Sequence, residues 1–188
     1  MEANSRRVRY QVAASLDGFI ADDKGGADWI VSDRDIDFGA HFAQFDTFLI
    51  GRRTFDAMPP GSMSGMNVLV FSRTLRQEDH PNVRIVNANA KAVVEDLKQQ
   101  PGKDIWLFGG GELFGSLLAL GVVDTVELAM IPVLLGSGTP VVPAGAHHKL
   151  SLTGHRVFPK SGIVMLEYDV QRKRARTKAR ALESTNQL

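Results

Sequence analysis

Short apolar runs alternate with helix-like segments through the first two thirds of the chain, and this order constrains the fold more than any other feature of the sequence. Such alternation is typical of an α/β fold with a mostly parallel central sheet flanked by helices. The expected strands cover residues 8–15, 47–50, 67–71, 83–86 and 104–108. The expected helices cover residues 32–44, 54–58, 88–99 and 112–120.

The last third of the chain has a different pattern, because only strand-like runs follow, over residues 125–131, 139–142, 150–157 and 163–170. The segment 159–162 contains proline and glycine, which suits an antiparallel hairpin between the last two strands. Parallel strands joined by helices bind ligands beyond their carboxyl ends. The loops that follow the strands are therefore the candidate functional segments.

The charge distribution divides the 188-residue chain into a body and a tail. Six basic residues and no acidic residue lie between Arg172 and Arg180, so the rest of the chain is net acidic. The length and the lack of a low-complexity linker predict one domain over residues 1–171, followed by a basic, flexible tail over 172–188. An acidic body disfavours nucleic-acid binding as the main function.

Composition excludes several other classes of site. The chain contains no cysteine, which excludes disulfides, thiolate nucleophiles and cysteine-based metal sites. His147 and His148 are adjacent before a late strand, where neighbours point to opposite faces, so we expect no metal site. No apolar run is long enough to cross a bilayer, and no signal-peptide core follows the first residues. We expect a cytoplasmic protein that binds no membrane.

Two strand ends are followed by arginine. Gly51, Arg52, Arg53 and Thr54 follow one buried strand at the start of a helix, where backbone N–H groups favour an anion. Arginines oppose the helix dipole there, and a bound phosphate resolves that conflict, although solvated surface arginines are an equal alternative. Ser72-Arg73 follows the next strand, and a hydroxyl beside a guanidinium can hold a phosphate monoester.

A run of three glycines follows the strand at 104–108 and precedes a helix. Glycines in this position let the backbone approach a pyrophosphate closely. No acidic residue follows at the spacing of a Rossmann fingerprint, and no Lys-Ser or Lys-Thr follows as in a P-loop. The alternative is a tight strand-to-helix turn. Asp17-Gly18, after the first strand, is consistent with a turn-forming aspartate.

Taken together, these segments resemble the dihydrofolate reductase superfamily, and within it the reductase domain of the bifunctional riboflavin-biosynthesis deaminase-reductase and its stand-alone relatives. The segments that carry the resemblance are S-L-D-G-F-I-A, L-I-G-R-R-T-F-D, V-F-S-R-T-L, G-G-G-E-L-F-G-S-L-L and I-P-V-L-L-G-S-G-T-P. The resemblance spans residues 9–168. It implies a dihydrofolate reductase-like fold with a C-terminal antiparallel hairpin, a homodimer, and NADPH as the cofactor.

The resemblance also implies roles for individual residues. Gly51 to Thr54 would meet the cofactor phosphates, Ser72 and Arg73 the adenosine 2′-phosphate, and Ala14 and Ser15 the nicotinamide amide. The segment 109–114 would wrap the pyrophosphate and the nicotinamide. The implied cofactor-binding residues are therefore Ala14, Ser15, Gly51, Arg52, Arg53, Thr54, Ser72, Arg73, Gly109, Gly110, Gly111, Glu112, Leu113 and Phe114.

The implied substrate residues are Trp29, Asp35 and Asp17. Asp35 falls where the resemblance places a pterin-binding carboxylate that helps to place a proton, and Asp17 is the rival polar contact. The alternative for Asp35 is a helix-capping role, because Ser32-x-x-Asp35 is a capping-box variant. No arginine follows the helix after Gly51 to hold a folate tail, which disfavours folate itself.

We therefore expect an NADPH-dependent oxidoreductase that transfers hydride to a small heterocyclic substrate. The resemblance implies a 5-amino-6-(5-phosphoribosylamino)uracil reductase-like enzyme or a related pteridine or dihydrofolate reductase. The alternative is a non-catalytic module that binds NADPH or a nucleotide with the same fold.

Overall fold

A computed structural model describes residues 6–59, 61–63, 65–145 and 147–171. The predicted tail, 172–188, lies outside the described residues. The described strands are β1 (Val8–Ser15), β2 (Phe19–Ala21), β3 (Phe45–Gly51), β4 (Asn67–Phe71), β5 (Arg84–Val86), β6 (Asp104–Gly109), β7 (Thr125–Ile131), β8 (Thr139–Pro140), β9 (Leu150–Phe158) and β10 (Ile163–Val170). The described α-helices are α1 (Phe38–Phe42), α2 (Arg52–Ala57), α3 (Ala90–Gln99) and α4 (Gly111–Ala119), and a 3-10 turn covers Gln77–Asp79.

Eight strands form one sheet in the order β5-β4-β3-β6-β1-β7-β10-β9. The strands from β5 to β7 are all parallel to their neighbours, whereas β10 is antiparallel to both β7 and β9. This topology confirms the predicted α/β fold with a mostly parallel central sheet and a C-terminal antiparallel hairpin. The parallel strands all end at one edge of the sheet, so the loops after them converge there.

The main core lies between one face of the sheet and the helices α3 and α4. Tyr10 of β1 and Leu107 of β6 are fully buried in it, and Phe114 of α4 stacks on the Tyr10 ring with 3.8 Å between the ring centroids. A second cluster covers the other face of β3, β4 and β6, where Trp106 packs against Phe48. Burial on both faces explains why these strands are continuous apolar runs rather than alternating ones.

The helix predicted over residues 32–44 is wrong in its first half. The Asp33 carboxylate accepts a hydrogen bond from the Asp35 backbone N–H at 2.9 Å, and Ile36 N donates to the Asp33 carbonyl at 3.2 Å. This local turn replaces the helix, because a short acidic side chain offers the backbone an alternative partner. The helix begins only at Phe38, where the Asp37 carboxylate caps Ala40 N at 2.9 Å.

A small two-stranded sheet, β2 with β8, was not predicted as a pair. It joins the loop after β1 to the segment 132–141, and further backbone hydrogen bonds connect Leu16 N to Val133 O and Val141 N to Gly18 O. Among the described helices, none has the length and hydropathy of a membrane span. The described residues also contain no group of three side chains that could hold a metal ion.

Candidate active site

A cleft of about 1410 Å³ opens at the carboxyl edge of the sheet. Its walls come from the segments that follow β3, β4, β5 and β6, which are 51–54, 71–74, 86–90 and 109–113. Three of these four segments are predicted cofactor loops. The parallel register of the sheet brings them together although they are distant in sequence.

Three arginines line this cleft: Arg52, Arg53 and Arg73. Arg52 is held by Asp56 at 2.6 Å and donates to the Thr74 hydroxyl at 3.2 Å, which ties α2 to the loop after β4. Arg53 and Arg73 are exposed and make no hydrogen bond or ion pair with the residues that the structure describes. Two guanidinium groups are therefore available to an anionic ligand.

Ser72 organises the turn that presents Arg73. Its hydroxyl oxygen accepts hydrogen bonds from Thr74 N at 3.2 Å and Leu75 N at 3.1 Å, and the residue is only 8% exposed. A hydroxyl that accepts backbone bonds in this way still has its proton to donate. Ser72 thus fixes the turn that includes Arg73, and its hydroxyl lies 3.4 Å from the Thr74 hydroxyl.

The two longer helices that begin at the cleft, α3 and α4, have no side-chain cap, and neither has the six-residue helix α2. The N-cap residues are Asn89 for α3 and Gly110 for α4, and neither provides a side-chain hydrogen bond to the first turn. Asn89 has a positive φ of 54°, a conformation that asparagine tolerates better than most residues. Uncapped N–H groups and the positive ends of two helix dipoles add to the field of the arginines.

The glycines of the run at 109–111 are required for two different reasons, backbone conformation and close packing. Gly109 has a φ of 137°, which only glycine adopts without strain. A Cβ at Gly111 would lie 2.5 Å from the Pro140 carbonyl oxygen, so close packing against β8 requires glycine there. A Cβ at Gly110 would meet its nearest atom, Thr54 Oγ1, at 3.5 Å, which is ordinary contact. Within this run, Gly110 is thus the glycine that neither a positive φ nor protein packing requires.

The remaining cofactor-loop residues divide between the cleft and the core. Thr54, Glu112 and Leu113 line the cleft. Phe114 does not, because its ring is 3% exposed and stacks on Tyr10 in the main core, so its predicted cofactor contact is corrected. Ala14 and Ser15 are fully buried and do not line the cleft either.

The floor of the cleft is formed by β1 and β6. Its residues on β1 directly precede Ala14 and Ser15, the predicted contacts. Gln11, Val12 and Ala13 line it together with Trp106 and Phe108. The Trp106 indole donates to the Gln11 carbonyl at 3.1 Å, which fixes the ring on this face. Ile20 of β2 and Ile30, in the segment that follows β2, add apolar side chains to the lining.

Asp17 lies outside the cleft and joins two loops. Its carboxylate accepts hydrogen bonds from the Ser15 hydroxyl at 2.6 Å, from Gly136 N at 2.7 Å and from Leu135 N at 3.1 Å. The bond from Ser15, followed by the backbone bond from Gly136, lowers the pKa of this carboxyl. The arrangement explains the predicted turn at Asp17-Gly18 and holds the segment 132–138 against the end of β1.

Trp29 and Asp35 also lie outside the cleft-lining set. Trp29 packs in a small cluster with Ile131 and Phe158, and its neighbours Ala27 and Ile30 reach the cleft instead. Asp35 is half exposed and pairs with Lys160 at 3.1 Å. Of the nearby carboxylates Asp33 is the buried one, and hydrogen bonding by the Ser161 side chain, then by Asp35 N, lowers its pKa.

Sequence reasoning missed two sets of cleft residues. Residues 87–89 follow β5, which was predicted as a strand, and the strand-end argument applies to them as it does to Ser72 and Arg73. The helix was instead expected to begin at Ala88. Gln11 lies inside a strand, where nothing in the sequence marks it.

Comparison with known proteins now identifies the family. A model of the RibD C-terminal domain matches residues 6–164. The chain belongs to the RibD C-terminal domain family. The Bacillus subtilis (strain 168) protein YyaP is 35% identical over 179 residues, covering 87% of this chain and 94% of YyaP.

Solved structures agree with this assignment. A protein from Shewanella sp. PV-4 that is assigned to riboflavin biosynthesis has a TM-score of 0.71 at 25% identity, covering 88% of this chain and 99% of that chain. The Thermotoga maritima diaminohydroxyphosphoribosylaminopyrimidine deaminase/5-amino-6-(5-phosphoribosylamino)uracil reductase has a TM-score of 0.66 at 18% identity, which shows the shared fold. The match covers 89% of this chain and 57% of the Thermotoga chain. Family and fold together indicate a reductase domain of the RibD type.

Proposed function

We propose that the chain is an NADPH-dependent reductase that transfers hydride to a small heterocyclic substrate of the riboflavin-pathway type. The observation that carries the proposal is the convergence of Arg52, Arg53 and Arg73 on one cleft with the uncapped N-termini of α3 and α4. The described body offers no acidic partner to two of these guanidinium groups. Such a positive site in a net acidic body suits a polyanionic dinucleotide.

The cleft residues fit NADPH in charge and in shape. Arg53 and Arg73 would hold phosphates by charge-assisted hydrogen bonds, and Arg73 with the Ser72 hydroxyl would select the 2′-phosphate. Gly110, which protein packing does not require, leaves backbone accessible beside Thr54. NADPH, when bound, supplies the hydride.

The protein would contribute position and a dry environment to the reaction. Trp106, Phe108 and Ile30 give the cleft an apolar lining, which would exclude water beside a bound substrate. Asp17 would position the loop after β1 and would not donate a proton to the substrate. A carboxyl with a lowered pKa is ionised near neutral pH and is therefore a poor proton donor. Asp35, half exposed and paired with Lys160, stays a predicted substrate contact.

The substrate class rests on the family. The Shewanella protein is assigned to riboflavin biosynthesis, and the Thermotoga protein includes a 5-amino-6-(5-phosphoribosylamino)uracil reductase. These relatives support a ribosylamino-pyrimidine type of substrate over a pteridine or dihydrofolate. The lack of an arginine in the segment 58–63 that follows α2 is consistent with this choice.

The experiment is a fluorescence titration of the full chain with NADPH and, separately, with NADH. We expect saturable binding of NADPH at micromolar concentrations and weaker binding of NADH, since only NADPH carries the 2′-phosphate. No saturable NADPH binding, or equal affinity for the two cofactors together with unchanged binding after removal of Arg73, would overturn the proposal.

One observation favours a second candidate, a non-catalytic NADPH-binding module. Both predicted catalytic carboxylates, Asp17 and Asp35, bond to groups outside the cleft. The loss of reduced-nicotinamide absorbance on adding a ribosylamino-pyrimidine substrate decides between the two. Turnover supports the reductase, whereas tight NADPH binding with no turnover on pyrimidine or pteridine substrates supports the module.

A further inference from the structure

Gln11 is a buried polar residue on the floor of the cleft. The residue is 5% exposed and lies on the strand β1 between Arg9 and Ala13. It lines the cleft together with Ala13 and Trp106, and its strand lies two strands away from β3 and three from β4, which lead into the arginine loops. None of the predicted cofactor or substrate roles includes it.

The neighbouring ion pair determines how the Gln11 amide is oriented. The Glu127 carboxylate accepts hydrogen bonds from Arg9 Nε at 2.6 Å and from the Thr125 hydroxyl at 2.9 Å, and it also accepts one from Gln11 Nε2. Burial alone would raise the pKa of Glu127, yet the hydrogen bonds and charge of Arg9, together with the hydrogen bonds from Gln11 and Thr125, hold the pKa below its ordinary value.

An ionised carboxylate only accepts hydrogen bonds, so the amide must turn its NH₂ group toward Glu127. The amide oxygen of Gln11 then points away from the ion pair. This oxygen is buried and accepts no hydrogen bond from any residue that the structure describes. Buried carbonyl groups without a donor are rare and destabilising, and they are often explained by function.

We propose that Gln11 Oε1 accepts a hydrogen bond from a ring or exocyclic N–H of the substrate and thereby selects amino-bearing heterocycles. This inference rests on the proposed reductase function, because it places the substrate over β1, away from the strands that lead into the phosphate-binding arginines. Arg9 and Glu127 act as positioning residues, since they hold the amide in one orientation. A heterocycle with only acceptors at this point leaves the amide oxygen unpaired and binds more weakly.

The experiment uses the full chain saturated with NADPH and two neutral probes of the same ring. Calorimetry compares the affinity for 2,4-diaminopyrimidine with that for 2,4-dimethoxypyrimidine, at a pH at which both rings are uncharged. We expect the unaltered protein to favour the diamino ring by about tenfold, the effect of one buried hydrogen bond. Gln11→Met removes the acceptor and should bring the two affinities together.

Thr125→Val is the matched control, because Thr125 donates to the same carboxylate, is 4% exposed and does not line the cleft. We expect this variant to keep the tenfold preference. Equal or undetectable binding of the two probes by the unaltered protein, or a preference that survives Gln11→Met, overturns the inference even if the variants differ in stability. NADPH affinity is measured first in each protein. A lack of NADPH binding by the unaltered protein would contradict the proposed function, whereas NADPH binding without a probe preference would contradict the Gln11 assignment alone.

Discussion

At the scale of single residues, Arg73 is the side chain whose loss should change cofactor choice. It is exposed at the cleft and has no partner among the described residues. We expect Arg73→Ala to weaken NADPH binding by about ten- to a hundredfold, the range of one charge-assisted hydrogen bond. NADH binding should be unchanged, because NADH has no 2′-phosphate. Fluorescence titration of both cofactors measures the difference.

Arg76 provides the control for this prediction. It is an exposed arginine three residues further along the same loop, and it does not line the cleft. Arg76→Ala should leave both affinities as they are. Similar losses in the two variants would show a general charge effect instead of a phosphate contact at Arg73.

Asp17 should contribute to the stability of the fold rather than to catalysis. Because the folded protein lowers the pKa of this carboxyl, its stabilising effect is complete above the unfolded pKa of about 3.9 and is lost as the pH falls through the folded pKa. We expect Asp17→Asn to have a lower Tm than the unaltered protein at neutral pH. The difference should persist down to about pH 4 and vanish below it. Thermal unfolding over a pH series measures this.

Two controls accompany the Asp17 series. Asp23 is an exposed aspartate in the next loop and makes no hydrogen bond among the described residues, so Asp23→Asn should match the unaltered protein at every pH. NADPH affinity should survive Asp17→Asn, since the residue lies outside the cleft. A Tm difference that grows toward acid pH would contradict the role of an ionised Asp17 in joining the two loops.

At the scale of elements, the turn from β6 into α4 combines a packing role with a ligand role. Gly111→Ala places a Cβ 2.5 Å from the Pro140 carbonyl, and overpacking of this kind costs about 1–3 kcal/mol. At about 2–4 °C per kcal/mol for a chain of this size, the Tm should fall measurably. Gly110→Ala meets no such contact, so it should keep the Tm and reduce NADPH affinity. Thermal unfolding and cofactor titration of both variants test the division.

The reverse pattern would contradict this division. If Gly110→Ala unfolds at lower temperature while Gly111→Ala loses only cofactor affinity, then Gly111 is the residue beside the ligand. The comparison is well matched, because the two substitutions are identical in chemistry and adjacent in sequence.

Strands were predicted more accurately than the first helix, for a physical reason. The bounds of β1, β4, β7 and β10 agree with the expected runs, because β-branched and apolar residues predominate in them. The segment 32–44 was predicted as a helix from its apolar spacing, but near its start the Asp33 side chain bonds the backbone two residues later and forms a turn instead. Apolar spacing records burial, whereas the turn depends on one hydrogen bond.

The candidate site was predictable to the extent that it follows from sheet topology. Loops after parallel strands converge at one edge, so Arg53, Arg73 and Gly110 could be expected to meet. Phe114 could not be separated from its neighbours in this way, because the helix α4 turns its ring to the core while Leu113 reaches the cleft. Gln11 could not be predicted either, since its importance depends on Glu127, which lies 116 residues away in the chain.

At the scale of the whole molecule, the homodimer stays a prediction, and the edge of the sheet offers a candidate interface for it. The edge strand β9 exposes three apolar side chains, Leu150, Leu152 and Val157, whose cross-strand partners on β10 share one face of the sheet. An exposed apolar row on an edge strand is typical of an interaction surface. We therefore expect a dimer that buries this row, independently of the cofactor cleft.

Leu152→Lys should weaken such a dimer by about tenfold or more, because it places a charge in the centre of the row. Ser151→Lys is the control, since Ser151 is exposed on the opposite face of the same strand beside Asp169. Sedimentation equilibrium over a range of protein concentrations measures both variants, with NADPH affinity as a check that the cleft is intact. A chain that is monomeric at every concentration would contradict the expected dimer, and the cleft would then have to function within one copy. A dimer that Leu152→Lys leaves unchanged while Ser151→Lys disrupts it would place the interface on the opposite face of β9.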